Sequence, residues 1–312
     1  MERVFVTGAG GFVGRHLARV LARRGGSVHG FGQGPRPDDA PLAAWTEGDV
    51  LDPAALGAAV ASASPSAVVH LAGQSSAAVS FEHPVDTYRA NAMGSWRLLD
   101  AVRAHAPTAR VLLVGSGEVY GPQPEGGRVT EGAPFRPVSP YALSKAAADA
   151  AAEAFANRHG LSVVRTRSFG HTGPGQAPTF VVPSMARQIA RIELGRVEPV
   201  LWVGNLNVSR DLTDVRDVVE AYALLLERGR PGAAYNVCRG EGISLSTLVS
   251  QLCSLARREV RVEIDPARLR PVDLTWLVGD PAALQHDTGW VPEIALRTTL
   301  DDVLGYWRDA VV

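Results

Sequence analysis

Short runs of valine and other β-branched residues alternate with alanine- and leucine-rich stretches over the first two-thirds of the chain. The runs near 3–7, 27–31, 45–49, 66–71, 110–115 and 162–167 predict strands. Between them, 12–24, 53–62, 84–105 and 140–159 carry apolar residues at three- and four-residue intervals, the pattern of helices with one buried face. Such alternation predicts an α/β fold, a doubly wound parallel sheet covered by helices on both faces. The last third is less regular. It predicts an amphipathic stretch near 179–194, strands near 199–203 and 234–238, and helices near 215–228, 244–257, 280–287 and 297–310. No low-complexity linker and no internal repeat separates the two parts. We therefore expect a core domain over 1–168 and a smaller C-terminal lobe over 169–312, interleaved with that core.

Composition narrows the function classes. The 312 residues are 46% apolar and 20% charged, with a formal net charge of −1. That balance gives no electrostatic basis for binding nucleic acid or an anionic membrane. No apolar run approaches the ~18 residues of a spanning helix. The N-terminus, Met1-Glu2-Arg3-Val4-Phe5-Val6, passes straight into a strand and leaves no room for a signal peptide. Cys238 and Cys253 are the only cysteines and lack metal-ligand spacing, so the expectation is a cytoplasmic protein with reduced thiols and no metal.

Chemistry begins at the first strand's end. Val4-Phe5-Val6-Thr7-Gly8-Ala9-Gly10-Gly11-Phe12-Val13-Gly14 reads as a strand, a tight glycine turn and a helix start. Gly8 permits the turn, Gly11 lets a pyrophosphate approach the backbone, and Gly14 lets the helix close on the strand. The first helical amides, at Phe12 and Val13, face the phosphates. The spacing is Gly-x-x-Gly-x-x-Gly, with Val13 where Gly-x-Gly-x-x-Gly has its third glycine. In this context the turn predicts a Rossmann-type NAD(P)-binding domain. An NAD-selective site has an acid about 20 residues on. Here Phe31-Gly32-Gln33-Gly34-Pro35-Arg36 has none, and Arg36 is placed to meet a 2′-phosphate, so NADP is preferred over NAD. Asp49, followed by Val50, is placed to reach the adenine. Leu71-Ala72-Gly73 ends the fourth strand with small residues over which the cofactor can lie, and His70 beside them reads as structural.

Tyr141-Ala-Leu-Ser-Lys145 follows Ser139-Pro140, a helix N-cap and first helical residue. Tyr141 and Lys145 are then an i, i+4 pair on one face. The nearby ammonium is expected to lower the phenol's pKa, so that it trades a proton near neutral pH. Ser116, from a strand end, is placed to hold the oxygen receiving that proton.

The glycine turn, Gly48-Asp49, His70-Leu71-Ala72-Gly73, Ser116 and Tyr141-x-x-x-Lys145 together resemble the extended short-chain dehydrogenase/reductases that modify nucleotide sugars. The resemblance covers essentially the whole chain. Phe169-Gly170-His171-Thr172-Gly173-Pro174-Gly175-Gln176, Val203-Gly204-Asn205-Leu206 and Ser209-Arg210-Asp211-Leu212-Thr213-Asp214 are similar to the GDP-4-keto-6-deoxymannose reductase branch, and next to the GDP-mannose 4,6-dehydratases. It implies Ser116, Tyr141 and Lys145 as the catalytic trio, with Lys145 also on the nicotinamide ribose and Asn91 buttressing the site. It implies Arg210 and Arg270 on the sugar nucleotide's diphosphate, and Val181, Val203 and Asn205 around a guanine base. Gly170 departs from the pattern, because the family usually has asparagine there.

The implied activity is NAD(P)H-dependent reduction of the C4 keto group of a GDP-linked 4-keto-6-deoxy sugar. Glu118 keeps the 4,6-dehydratase open, since a glutamate there acts as base on the C5 proton in those enzymes. They read Thr-Ser-Glu or Thr-Asp-Glu where this chain has Ser116-Gly117-Glu118. The same residues also admit a nucleotide-sugar 4-epimerase or, in a different class, a non-catalytic sugar-nucleotide-binding subunit. The family further implies a homodimer, formed by a four-helix bundle from 84–105 and 140–159, with Ala146, Ala150 and Ala154 permitting close approach.

Overall fold

Strands β1 (Arg3–Thr7), β2 (Ser27–Gly32), β3 (Ala44–Glu47), β4 (Ala67–His70), β5 (Arg110–Ser116) and β6 (Val163–Ser168) form most of a seven-stranded sheet. In this computed structural model, which describes residues 2–269 and 273–311, each predicted strand of the first two-thirds is found within three residues of its expected ends. Helices α1 (Phe12–Arg23), α2 (Pro53–Ala63), α3 (Ala77–Glu82), α4 (Pro84–Tyr88), α5 (Gly94–His105) and α6 (Pro140–His159) connect them. The last third supplies β7 (Gly170–Thr172), α7 (Val181–Glu193), β8 (Val200–Val203), β9 (Ser209–Asp214), α8 (Val215–Arg228), β10 (Ala234–Val237), β11 (Gly242–Ser244), α9 (Leu245–Ser254), β12 (Arg261–Ile264), β13 (Trp276–Leu277), α10 (Ala282–Thr288) and α11 (Leu296–Ala310).

The large sheet runs β10-β6-β5-β4-β1-β2-β3, all parallel. Its order reverses between β1 and β4, and the crevice beyond their C-terminal ends is where open α/β sheets bind ligands. Val4, Val6, Val69 and Val164 pack one face beneath α1 and α8, while Phe5, Val68, Val111 and Leu113 pack the other beneath α2, α5 and α6. The chain re-enters this core after leaving it, because α8, β10 and α10 belong to it although they lie beyond residue 169. A separate core of Met185, Ile189, Leu201, Leu252 and Val303 holds the smaller lobe. Among the described residues no helix is long and apolar enough to cross a membrane.

The helix expected over 84–105 is continuous, but Arg89–Met93 form a π-helical turn inside it. The extra residue turns Asn91 inward, where it is 1% exposed. Such insertions recur at functional sites.

Candidate active site

Gly8 takes φ +71°, and a Cβ there would lie 2.7 Å from the Ala72 amide nitrogen. At Gly14 it would lie 2.4 Å from the Gly8 carbonyl. The turn therefore closes only with glycine at both positions. The Gly11 amide donates to Gly8 O at 3.0 Å, and no side chain caps the first turn of α1. The first amides of a helix lack intrahelical acceptors, so Phe12, Val13 and Gly14 present theirs at the crevice. Phe12 stacks on His171, ring centroids 6.4 Å apart, and His16 hydrogen-bonds the Pro174 carbonyl at 3.0 Å. These contacts lock the glycine turn to the segment that begins the smaller lobe.

Around the far end of the crevice, Asp49 accepts from the Leu51 amide at 2.8 Å and from Gln33 at 3.1 Å. Val50 turns its side chain into the core, where a Cβ on Gly94 would meet it at 2.9 Å. Arg36 is exposed and donates to the Leu42 carbonyl within its own loop. Leu71, Ala72 and Gly73 follow β4 directly beside Gly8.

Ser116 ends β5 and caps the short 3₁₀ turn Gly117–Tyr120, accepting from the Glu118 amide at 3.2 Å. Tyr141 is the second residue of α6, behind the Ser139 cap and Pro140 as expected, and its phenol hydrogen-bonds Ser116. Lys145 lies one turn on and donates to the Val114 carbonyl at 3.1 Å. Serine, tyrosine, lysine and Glu118 thus meet at the sheet's C-terminal edge. The electrostatics differ from expectation. Burial raises the Tyr141 pKa, the Glu118 charge raises it further, and only the Ser116 hydrogen bond opposes them. Burial also lowers Lys145 to about 8. The expected lowering of the phenol by the lysine is not found, and burial, with the Glu118 charge, sets the direction instead.

A cavity of about 550 Å³ is walled by both lobes, with Ala78, Phe81 and Glu82 on one side and the segments after Gly170 on the other; Ser116, Tyr141 and Lys145 are not among its lining residues. Gly170, Val181, Val203, Asn205 and Arg210, predicted from four separate segments, all line it. Asp273 organises the polar wall, accepting from Asn205 at 3.2 Å and pairing with Arg210 at 3.4 Å. Asn91, expected at the substrate site, is not among the residues lining the cavity, and its side-chain amide bonds Gln74 and Ser144. Arg270 lies outside the described residues. Sequence reading missed Arg268, Trp202 and Phe81, which also line the cavity. Arg268 donates to Ser184 at 3.2 Å and pairs with Asp265. Its position two residues before Arg270 was the one signal that could have found it.

Gly170 pairs with Leu212 across β7 and β9, and a Cβ there would sit 2.7 Å from the Asp211 carbonyl. Gly170→Asn is expected to cost about 1–3 kcal/mol through overpacking. Urea denaturation checks this, and an unchanged midpoint would contradict the packing argument.

The sequence model of the family described as GDP-mannose 4,6 dehydratase matches residues 5–303. The GDP-6-deoxy-D-mannose reductase of Pseudomonas aeruginosa is 38% identical over 99% of this chain and 98% of its own length. The solved structure of RMD from Pseudomonas aeruginosa complexed with NADPH superimposes with a TM-score of 0.86 at 35% identity, covering 99% of this chain and 100% of that one. UDP-glucose 4-epimerase of Thermus thermophilus in complex with NAD gives 0.89 at 31%, covering 99% of each. With the glycine turn, the serine–tyrosine–lysine cluster and the two-lobed cavity, these full-length matches establish that the chain belongs to the GDP-mannose 4,6-dehydratase family of extended short-chain dehydrogenase/reductases.

Proposed function

We propose that this protein reduces the C4 carbonyl of a nucleotide-linked 4-keto-6-deoxy sugar with NAD(P)H, converting GDP-4-keto-6-deoxymannose to a GDP-6-deoxyhexose of the rhamnose type. The observation that carries this reading over dehydration is Gly117. Where the dehydratases have Ser or Asp, this chain has no side chain and no space for one, since a Cβ would lie 2.9 Å from three ring atoms of Phe169. Loss of water across C5–C6 asks for a base and an acid together, whereas reduction asks for one proton donor. Glu118 stands beside Tyr141, but position 117 offers no second acid–base group. The full-length likeness to a GDP-6-deoxy-D-mannose reductase supports the same reading.

The cradle fits a dinucleotide. Phe12, Val13 and Gly14 would hold its pyrophosphate, the Gly8–Gly14 closure leaves the backbone bare for it, and Leu71–Ala72–Gly73 would floor the ribose. NADPH is preferred, on the lack of an acid at the end of β2 and the NADPH complex of the relative. Arg36 would leave its loop carbonyl for a 2′-phosphate, and Asp49 would face the adenine. When bound, the nicotinamide supplies hydride to the carbonyl carbon. Tyr141 gives its proton to the developing alkoxide, Ser116 hydrogen-bonds the same oxygen, and Lys145 holds the ribose and the local positive charge. Arg210, with Arg270 and Arg268, would bind the diphosphate, for which forked guanidinium groups are suited. Val181, Val203 and Asn205 would enclose the base. On this reading 1–168 is the cofactor domain, 169–312 is mainly the substrate lobe, and the protein works in the cytoplasm.

Incubation with GDP-4-keto-6-deoxymannose and NADPH is expected to consume cofactor in step with deoxyhexose formed. Conversion of GDP-mannose without net cofactor use would instead make it a dehydratase.

The protein is further proposed to be a homodimer through α4–α5 and α6. Val85, Met93, Trp96 and Leu143 are 62%, 43%, 50% and 54% exposed on that side, a concentration of apolar surface unusual for a monomer. On α6 the apolar stripe is Leu143, Ala147, Ala150 and Ala154. Ala146 instead packs inward against the cluster of Tyr120 and Phe169, which corrects its expected place in the interface. Leu143→Asp should turn the dimer into a monomer in sedimentation equilibrium. A wild-type protein that sediments as a monomer would refute this interface.

A further inference from the structure

His70 is 3% exposed at the end of β4, and neither the cradle nor the cavity uses it. Its ring joins two buried hydroxyls, with Nδ1 2.7 Å from Thr7 Oγ1 and Nε2 3.1 Å from Ser95 Oγ. Donor accounting fixes the direction of every bond. Ser95 spends its one proton on the Asn91 carbonyl at 2.6 Å, so it must accept from His70, and Nε2 carries the hydrogen. Thr7 Oγ1 receives the Ala72 amide at 3.3 Å and gives its own proton to Nδ1.

Beyond Asn91 the chain continues. The Asn91 Oδ1 accepts from the Gln74 amide at 2.8 Å, so Nδ2 is its donor, reaching Gln74 O at 3.0 Å and Ser144 Oγ at 2.9 Å. Ser144 then donates to the carbonyl of Tyr141 at 2.7 Å. One polarised run therefore leads from Ala72, under the cofactor cradle, through Thr7, His70 and Ser95 to the Asn91 main-chain carbonyl, and a second leads from the Asn91 side-chain amide through Ser144 to the backbone of the proposed proton donor, the two joined by the covalent frame of Asn91. Thr7, Ser95, Asn91 and Ser144 are each no more than 3% exposed, so water has little access to substitute for a missing member.

We infer that His70 is a positioning residue: a neutral imidazole, protonated at Nε2, that sets the distance between the cofactor floor at Ala72 and the catalytic helix at Tyr141. Charging the ring would put a second donor against Thr7, whose proton would then lack an acceptor. Burial, and next the Lys145 ammonium, hold the imidazole down to about 3, in agreement with that geometry. Nothing in the sequence separates this histidine from a filler of the core; the assignment comes from the direction of its bonds.

The inference takes its kinetic readout from the reductase reading, and its other two readouts are independent of it. Nitrogen-15 spectra of histidine, with His70 assigned by its loss in His70→Gln, should show the neutral Nε2–H tautomer at neutral pH. Thr7→Val and Ser95→Ala preserve bulk and each break one link. Each is expected to weaken NADPH binding, followed by fluorescence, roughly threefold or more and to lower kcat about tenfold with KM little changed, the signature of misplaced groups. Thr7→Ser should restore both. An Nδ1–H or charged His70, or Val and Ala variants with wild-type NADPH affinity, overturns the inference. A wild type that binds NADPH but ignores the keto sugar overturns only the reductase reading.

Discussion

Changing Tyr141 to phenylalanine should lower kcat about a thousandfold while leaving NADPH binding and the melting temperature close to wild type, as expected for removal of a general acid. The ring is 9% exposed and phenylalanine fills the same space, so the fold loses only the hydroxyl and its bond to Ser116. Burial and the Glu118 charge hold the phenol protonated throughout the neutral range. The donor is thus loaded before substrate arrives, and its proton leaves when an alkoxide with a higher proton affinity forms beside it. For the same reason the wild-type rate should show no break from tyrosine ionisation between pH 6 and 9. Steady-state NADPH consumption with GDP-4-keto-6-deoxymannose measures both effects. A variant retaining more than about a tenth of the wild-type kcat would remove Tyr141 from its role. Full retention would favour a binding subunit that only kept the fold.

The parallel sheet is legible because its central strands are buried on both faces and therefore carry short unbroken apolar runs, such as Ala67–Val69 in β4 and Val111–Val114 in β5. Strand β9 hides because Ser209–Asp214 is polar; it forms from its pairing with β7, β11 and β13, partners remote in sequence. The Ser139–Pro140 start of α6 was readable, being local chemistry. So was the spacing of Tyr141 and Lys145. What the cleft does to their protonation was not, because the burial of both groups and the approach of the Glu118 charge to the phenol arise only when the chain has folded. The π-helical turn at Arg89–Met93 has no signal in its residues either. Gly170 and Gly117 illustrate the same limit. Each looks like a missing side chain until the structure shows backbone or ring already occupying its place.

Lys145→Met should abolish reduction, by a hundredfold or more, and yet make the protein harder to unfold at neutral pH. The ammonium sits in the cleft with the Val114 carbonyl as its protein acceptor. Holding this lysine near 8 instead of 10.5 costs the fold about 3 kcal/mol at neutral pH, where both folded and unfolded chains carry the charge. Methionine removes that cost and leaves one carbonyl without its donor, a loss of about 1 kcal/mol. The net expectation is a gain of about 2 kcal/mol in chemical denaturation. Its pH dependence has a definite sign. Between 8 and 10.5 the unfolded wild type holds a proton that the folded protein has shed, so wild-type stability rises with pH, and the variant's advantage shrinks through zero to leave it about 1 kcal/mol the less stable above that range. A variant less stable than wild type at neutral pH, or an advantage that grows with pH, would show that the buried charge is not the strained element. Losing the charge also relieves its pressure on the His70 imidazole, whose pKa should rise, although burial still keeps that ring neutral. Bound cofactor would give the ammonium ribose hydroxyls as further acceptors, so NADPH should stabilise the wild type more than the methionine variant. The strain carried by Lys145 would then be what binding energy relieves.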